Sequence, residues 1–261
     1  MPITPLYRRS WFLWTAASLL TLASAIYQRR TGPTYPLSGK AVVGGAAVAY
    51  KLERTHAGSD AHPVRIAAPE GVTGWLSWRK LGDPGAWERV PFLRQGGELT
   101  ASLPGQPKAG KLEYRVALQK DDEIVWLNGS RAVPIRFKGE VPLWVLLPHV
   151  AGMFAGMLIS TRAGLSGLLG VETRTLVLLA VAILTVGGMM LGPLLQWYAF
   201  DEPWTGWPVS TDLTDNKTAV AWLIWVIAAW RGGSRWAAAA GIVTMAVFMI
   251  PHSVLSGNTV R

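Results

Sequence analysis

The side chains whose types and spacing suit chemistry are His149, His252, Trp204, Trp207, Asp212, Asp215 and Lys217. All but the two histidines lie in one stretch, WYAFDEPWTGWPVSTDLTDNKT, residues 197–218. It carries four carboxylates (Asp201, Glu202, Asp212, Asp215), one lysine and three tryptophans. Pro203 and Pro208 forbid a regular helix through its middle. A long ordered loop is more often functional than a short connector. Tryptophan favours the lipid headgroup level, which accounts for the rings but not for the acids.

Each of these residues has more than one reading. A histidine inside an apolar span is costly and counts as a functional candidate. His149 shares a helical face with Gly152, Met153 and Gly156. Gly152-x3-Gly156 is a close-packing signal, so His149 also suits a hydrogen bond across a helix contact. His252 follows Pro251 at a helix end, where a cation suits the dipole. His149, Met153 and Met157 recur at helical spacing, as do Met245, Met249 and His252. Thioether plus imidazole suits Cu(I), although methionine is also ordinary filler. Asp212 or Thr214 suits a helix N-cap, and Asp215 and Lys217 suit a local ion pair. The same acids offer oxygen ligands for a divalent cation, without any known loop pattern. His56 and His62 sit in a Gly/Ser/Asp-rich loop and read as solvated. No P-loop, dinucleotide fingerprint, HExxH or GxSxG is present, and the chain does not read as a stand-alone enzyme.

The elements that must position these groups follow from composition. The 261 residues are half hydrophobic and contain no cysteine, which excludes disulfides, thiolate metal sites and covalent c-type haem in this chain. The net charge of +9 is spread over the sequence, which fits helix flanks and anionic lipid rather than nucleic acid. Apolar runs at 10–27, 141–160, 176–197, 219–230 and 236–250 predict five transmembrane helices. Ala23-Ser24-Ala25 resembles a signal-peptidase site, and a retained anchor over 1–30 is the favoured reading. Residues 161–173 and 231–235 read as short connectors.

Residues 31–140 differ in kind. Short alternating runs separated by Gly/Pro/Asn turns predict about seven strands, from Ala46–Arg54 to Ala132–Phe137. Their number and spacing fit an all-β sandwich. Pro107 and Tyr114, with the strand Leu112-Glu113-Tyr114-Arg115-Val116, resemble the tyrosine corner of immunoglobulin-like and fibronectin type III domains. Trp75 and Trp78 fall on opposite strand faces. The expected organisation is therefore an anchor at 1–30, a β-sandwich at 31–140, and a four-helix membrane domain at 141–261. Arg8, Arg9, Arg162, Arg174, Arg231 and Arg235 outnumber Glu172 on one side of such a chain. The positive-inside bias then puts the N-terminus in the cytoplasm. The β-domain and the 197–218 loop fall on the periplasmic side of a bacterial inner membrane.

The order His149, Trp-rich acidic outer loop, His252 resembles the haem-handling membrane proteins of cytochrome c maturation. In that family a Trp-rich periplasmic loop lies between spans carrying one histidine each, and leads straight into a helix. Trp204, Trp207, Asp212 or Asp215, and Thr218 occur here in the family's order, and His252-Ser253 resembles its His-Ser pair. The resemblance covers roughly residues 145–255. It implies haem held by His149 and His252, a platform from Trp204 and Trp207, and contacts to propionates or to a histidine from Asp212, Asp215 or Lys217. Three functions stand as expectations. They are haem binding for electron transfer or haem handling, a non-catalytic subunit or assembly factor docking a periplasmic or membrane protein, and copper binding through the Met/His faces. The second needs no cofactor.

Overall fold

A computed structural model describes residues 7, 9–209 and 213–250. The chain divides into two compact units, Met1–Gly32 with Val141–Arg261, and Pro33–Glu140.

The second unit is all β. A hairpin, β1 (Leu37–Val43) with β2 (Ala46–Leu52), stands beside two sheets. Further strands are β3 (Thr55–Ala57), β4 (His62–Ala67), β5 (Thr73–Lys80), β6 (Glu88–Pro91), β7 (Leu93–Gln95), β8 (Glu98–Leu103), β9 (Lys111–Lys120), β10 (Glu123–Trp126) and β11 (Val133–Lys138). The larger sheet runs β3-β11-β9-β5-β6, with β10 also on β9, and the smaller runs β4-β8-β7. All pairs are antiparallel except β3 with β11. Both sheets feed one core because their apolar residues alternate. Val64 and Ile66 of β4, Leu99 and Leu103 of β8, and Ile135 and Phe137 of β11 are all buried there.

The strand pattern in the sequence missed β1 and β3. It ran Trp87–Leu93 together where Phe92 separates β6 from β7. Trp78 packs against the core, while Trp75 lies edge-on to Trp126 at 5.9 Å. Tyr114 is fully buried, but its hydroxyl does not make the short local bond of a tyrosine corner. It donates across the chain to the Glu53 carbonyl at 2.8 Å. Burial pushes its pKa well above the usual tyrosine value. Arg94 donates to three turn carbonyls, Ala68 at 3.0 Å, Pro69 at 2.9 Å and Val72 at 2.6 Å, which satisfies the backbone between β4 and β5.

The first unit is helical. Its rods are α1 (Ser10–Thr31), α2 (Leu143–Leu168), a bent rod, α5 (Leu213–Arg231) and α6 (Ser234–Met249). The bent rod comprises α3 (Arg174–Leu184), a π-helical turn (Thr185–Met190) and α4 (Leu191–Phe200). Pro193 lies just beyond the π turn. A proline ring collides with the carbonyl four residues back, here Met189, so a widened turn at this point is expected.

Three rods, Ser10–Thr31, Leu143–Leu168 and Arg174–Phe200, are long and apolar enough to cross a membrane, and α6 is a shorter apolar helix. The five spans expected from sequence are therefore matched by length and hydropathy in three cases. Asp215 and Lys217 in its first turns, with Arg231 at its end, set α5 apart from them.

The helices approach closely where glycines face each other. A Cβ on Gly152 of α2 would lie 2.9 Å from Gly187 Cα in the π turn, and one on Gly241 of α6 would lie 2.5 Å from Gly164 Cα in α2. Such contacts let backbones pack by dispersion without side chains between them.

Arg162 corrects the sequence reading. It does not lie in a connector, because α2 continues to Leu168. Its residue is buried, it donates to Ser166 one turn on, and its guanidinium carbon stands 5.4 Å from the Trp14 ring of α1. The buried stripe of α1 is Leu13, Ala17, Thr21 and Ser24, spaced by about one turn as a packing face requires.

Candidate functional site

The loop after α4 is built by its neighbours. Asp201 takes a left-handed conformation with φ of 59°, and its N–H returns to the Trp197 carbonyl at 2.8 Å. This ends the helix and turns the chain back over α5. There Asp215, only 6% exposed, collects three donors. Gln196 Nε2 of α4 donates to Oδ1 at 2.8 Å. The Thr205 backbone N–H donates to Oδ2 at 2.7 Å and the Thr205 hydroxyl to the same oxygen at 3.0 Å. The next residue continues the clasp, since Asn216 Oδ1 accepts the Trp207 N–H at 2.7 Å. Trp204 Nε1 donates to the Trp207 carbonyl at 3.2 Å. Gly206 makes room, because a Cβ there would lie 2.9 Å from both Asp215 Cβ and the Trp204 ring. A carboxylate in the first turn of α5 also meets the positive end of the helix dipole.

His149 Nδ1 of α2 donates to the Gly187 carbonyl of the π turn at 2.8 Å. A carbonyl can only accept, so the neutral imidazole keeps its lone pair on Nε2. α5 fastens the same π turn from its own side. Trp222 Nε1 donates to Thr185 Oγ1 at 2.8 Å, and a Cβ on Gly188 would lie 2.7 Å from Thr218 Cγ2. A seam of polar groups thus joins α2, the bent rod, α5 and the loop.

Several sequence expectations change here. Thr214 is not the N-cap of α5 but lies within it, and its carbonyl accepts the Thr218 hydroxyl at 3.0 Å. Asp215 turns to Gln196 and Thr205, while Lys217, 3% exposed, donates to the Ile250 carbonyl at the end of α6. The two do not serve as each other's sole partner. Trp204 is folded into the loop, whereas Trp207 is 77% exposed. Met157 packs with Ala221, Phe248 and Met153 in an apolar cluster, the setting of core filler. His252 and Asp212 lie outside the described residues. Among the described residues no group of three or more His, Cys, Asp and Glu is placed to hold a metal ion.

The sequence reading overlooked Gln196, Thr205 and Asn216, which complete the clasp. One signal was available: Gln196 is a lone amide near the end of an otherwise apolar run, and such a group needs a partner. Neither a protein-family profile nor a curated protein sequence matches this chain.

Proposed function

We propose that this chain is a non-catalytic subunit or assembly factor of a membrane complex, and that its outer loop docks a partner protein. One observation carries the reading. Asp215 and Asn216 of α5 hold the Thr205 and Trp207 amides, and beyond the exposed Asp201 and Glu202 at its start the loop presents apolar side chains outward. Trp207 is 77% and Val209 72% exposed. A rigid loop ending in an exposed aromatic suits a buried anchor in an interface, where tryptophan is enriched. Interfacial lipid accounts for Trp144 and Trp197, which are 62% and 59% exposed near helix ends.

The setting of this reading is an inner-membrane protein with five spans, α5 and α6 being the two shorter ones, and α1 a retained anchor. With Arg162 removed from the connectors, Arg8, Arg9, Arg174, Arg231 and Arg235 still outweigh Glu172 on one side, which favours a cytoplasmic N-terminus. The β unit and residues 201–209 then belong to the periplasmic side. Residues 33–140 fit an immunoglobulin-like sandwich in strand order. β4-β8-β7 forms one layer and β11-β9-β5-β6 the other, with β3 added parallel to β11 at the edge.

The test is affinity purification of the full chain from mild detergent, with Trp207→Ala and Val209→Ser variants alongside. A partner retained by the wild type and lost from the variants, with thermal stability unchanged, is the expected result. Recovery of the same proteins by wild type and variants alike would refute the loop as the docking element.

Haem binding is supported as a second reading by His149. A ring held by Nδ1–H to a backbone carbonyl, with Nε2 free of its proton, is the usual state of a metal-ligating histidine. Visible spectra of the purified protein, oxidised and reduced, decide it. A Soret band lost in both His149→Ala and His252→Ala would establish haem. A colourless protein after haem is supplied would end that reading.

A further inference from the structure

The β unit holds a second cluster that the loop reading leaves unused. His56 and His62 were expected in a solvated loop, but both lie in strands. His56 is in β3 of the larger sheet, opposite Phe137 of β11. His62 opens β4 of the smaller sheet, opposite Leu103 of β8. Residues 58–61 cross between the sheets, and the crossing brings the two rings face to edge with centroids 4.9 Å apart. The His56 ring is also edge-on to Phe137 at 5.2 Å, and its side chain is 15% exposed. The turn is closely backed, since a Cβ on Gly105 would lie 2.1 Å from the Ser59 carbonyl oxygen.

The nitrogens are ordered in a line. His56 Nε2 lies 3.0 Å from Asp60 Oδ1. A carboxylate accepts, so that nitrogen carries the proton, and in the neutral ring His56 Nδ1 carries the lone pair. His62 Nδ1 faces it at 3.1 Å. Burial, and then the neighbouring His56, hold the His62 pKa below the usual histidine value, so this ring favours its neutral form. The hydrogen bond from His56 holds the Asp60 pKa below the usual carboxylate value.

We propose that His56 Nδ1 and His62 Nδ1 form a two-imidazole site for a late first-row divalent metal ion such as Zn2+, with Asp60 positioning His56 from behind and water completing the coordination. The separation fits. Two nitrogens each about 2.05 Å from one tetrahedral metal stand about 3.3 Å apart, close to the distance seen between these atoms. When the metal binds, the Nδ1 proton of His62 moves to its Nε2, which is a tautomer shift of a neutral ring. The carboxylate–histidine–metal line repeats the arrangement that fixes a ligating imidazole in known sites. Imidazole pairs select zinc, copper or nickel over magnesium and calcium, which demand oxygen. The two ligands come from different sheets, so the ion would clamp the crossing between them. This site is independent of the docking and haem readings.

The test uses full-length protein in detergent, without a polyhistidine tag, titrated with Zn2+ against a chromogenic chelator. One Zn2+ per chain is expected, with Mg2+ showing no competition. His56→Gln and His62→Gln should each weaken binding at least tenfold, and Asp60→Asn about tenfold. A His149→Gln/His252→Gln variant should bind as the wild type does. As a readout that needs no variant, Cu2+ bound to the wild type should show coupling to two nitrogens by electron paramagnetic resonance. Absence of saturable Zn2+ uptake by the wild type would overturn the proposal. So would unchanged uptake by the His56→Gln/His62→Gln double variant.

Discussion

Asp215→Ala should unclasp the 201–209 loop without unfolding the helices. The carboxylate accepts three hydrogen bonds, from Gln196, the Thr205 amide and the Thr205 hydroxyl. Both Thr205 bonds are part-buried, but the hydroxyl can rotate to water at little cost while the peptide N–H is fixed. The Gln196 amide and the Thr205 peptide N–H are left without an acceptor, at about 1–3 kcal/mol each. A central value of about 4 kcal/mol raises the open population of the loop about a thousandfold. Chymotrypsin reads that population, because cleavage between Trp204 and Thr205 tracks the open fraction when opening is fast. Asp215→Asn separates charge from geometry. Its amide oxygen still accepts from Thr205, and Gln196 flips to accept from its NH2, so the loss falls to about 1 kcal/mol and the cleavage rate rises about fivefold. Cleavage of Asp215→Ala within threefold of the wild-type rate would refute the account. Equal rates for the two variants would refute it as well.

Three further outcomes follow from packing. Tyr114→Phe should lower the stability of the β unit by about 1–2 kcal/mol in denaturant unfolding, because the Glu53 carbonyl loses its buried donor. Arg94→Lys should cost about 1–3 kcal/mol by the same assay, since one ammonium cannot reach three carbonyls that a guanidinium fork spans. Gly241→Leu should separate α6 from α2 and lower the melting temperature in detergent. A Cβ there already falls 2.5 Å from Gly164 Cα, and overpacking of this kind costs about 1–3 kcal/mol or more.

Much of the architecture was legible because the periods are local. Alternation in Val133–Lys138 and the apolar run of residues 176–197 need no tertiary knowledge. What escaped was decided by contacts distant in sequence. β3 is three residues long and exists only because Phe137 and its neighbours offer a parallel edge. Arg162 reads as a connector by charge, yet α2 runs through it because Ser166 and Trp14 receive the guanidinium. His56 and His62 read as loop residues because Gly58-Ser59-Asp60-Ala61 is a turn, and the sequence does not say that the turn joins two sheets. In the stretch after α4 the acids and tryptophans stood out, but the role of Asp215 depended on Gln196, 19 residues earlier.

The contact between Arg162 and Trp14 joins two helices made far apart in time. α1 is synthesised first, and all of residues 33–140 follow before α2 is made. Through that interval the Thr21 and Ser24 side of α1 has no helix to cover it. α2, long and apolar enough to cross a membrane, carries in Arg162 a cation that is costly among apolar surroundings, and α1 bears an aromatic ring for it. Cutting after Ala25 would remove Leu13, Ala17, Thr21 and Ser24, the whole buried face of α1, and with it the ring that meets Arg162.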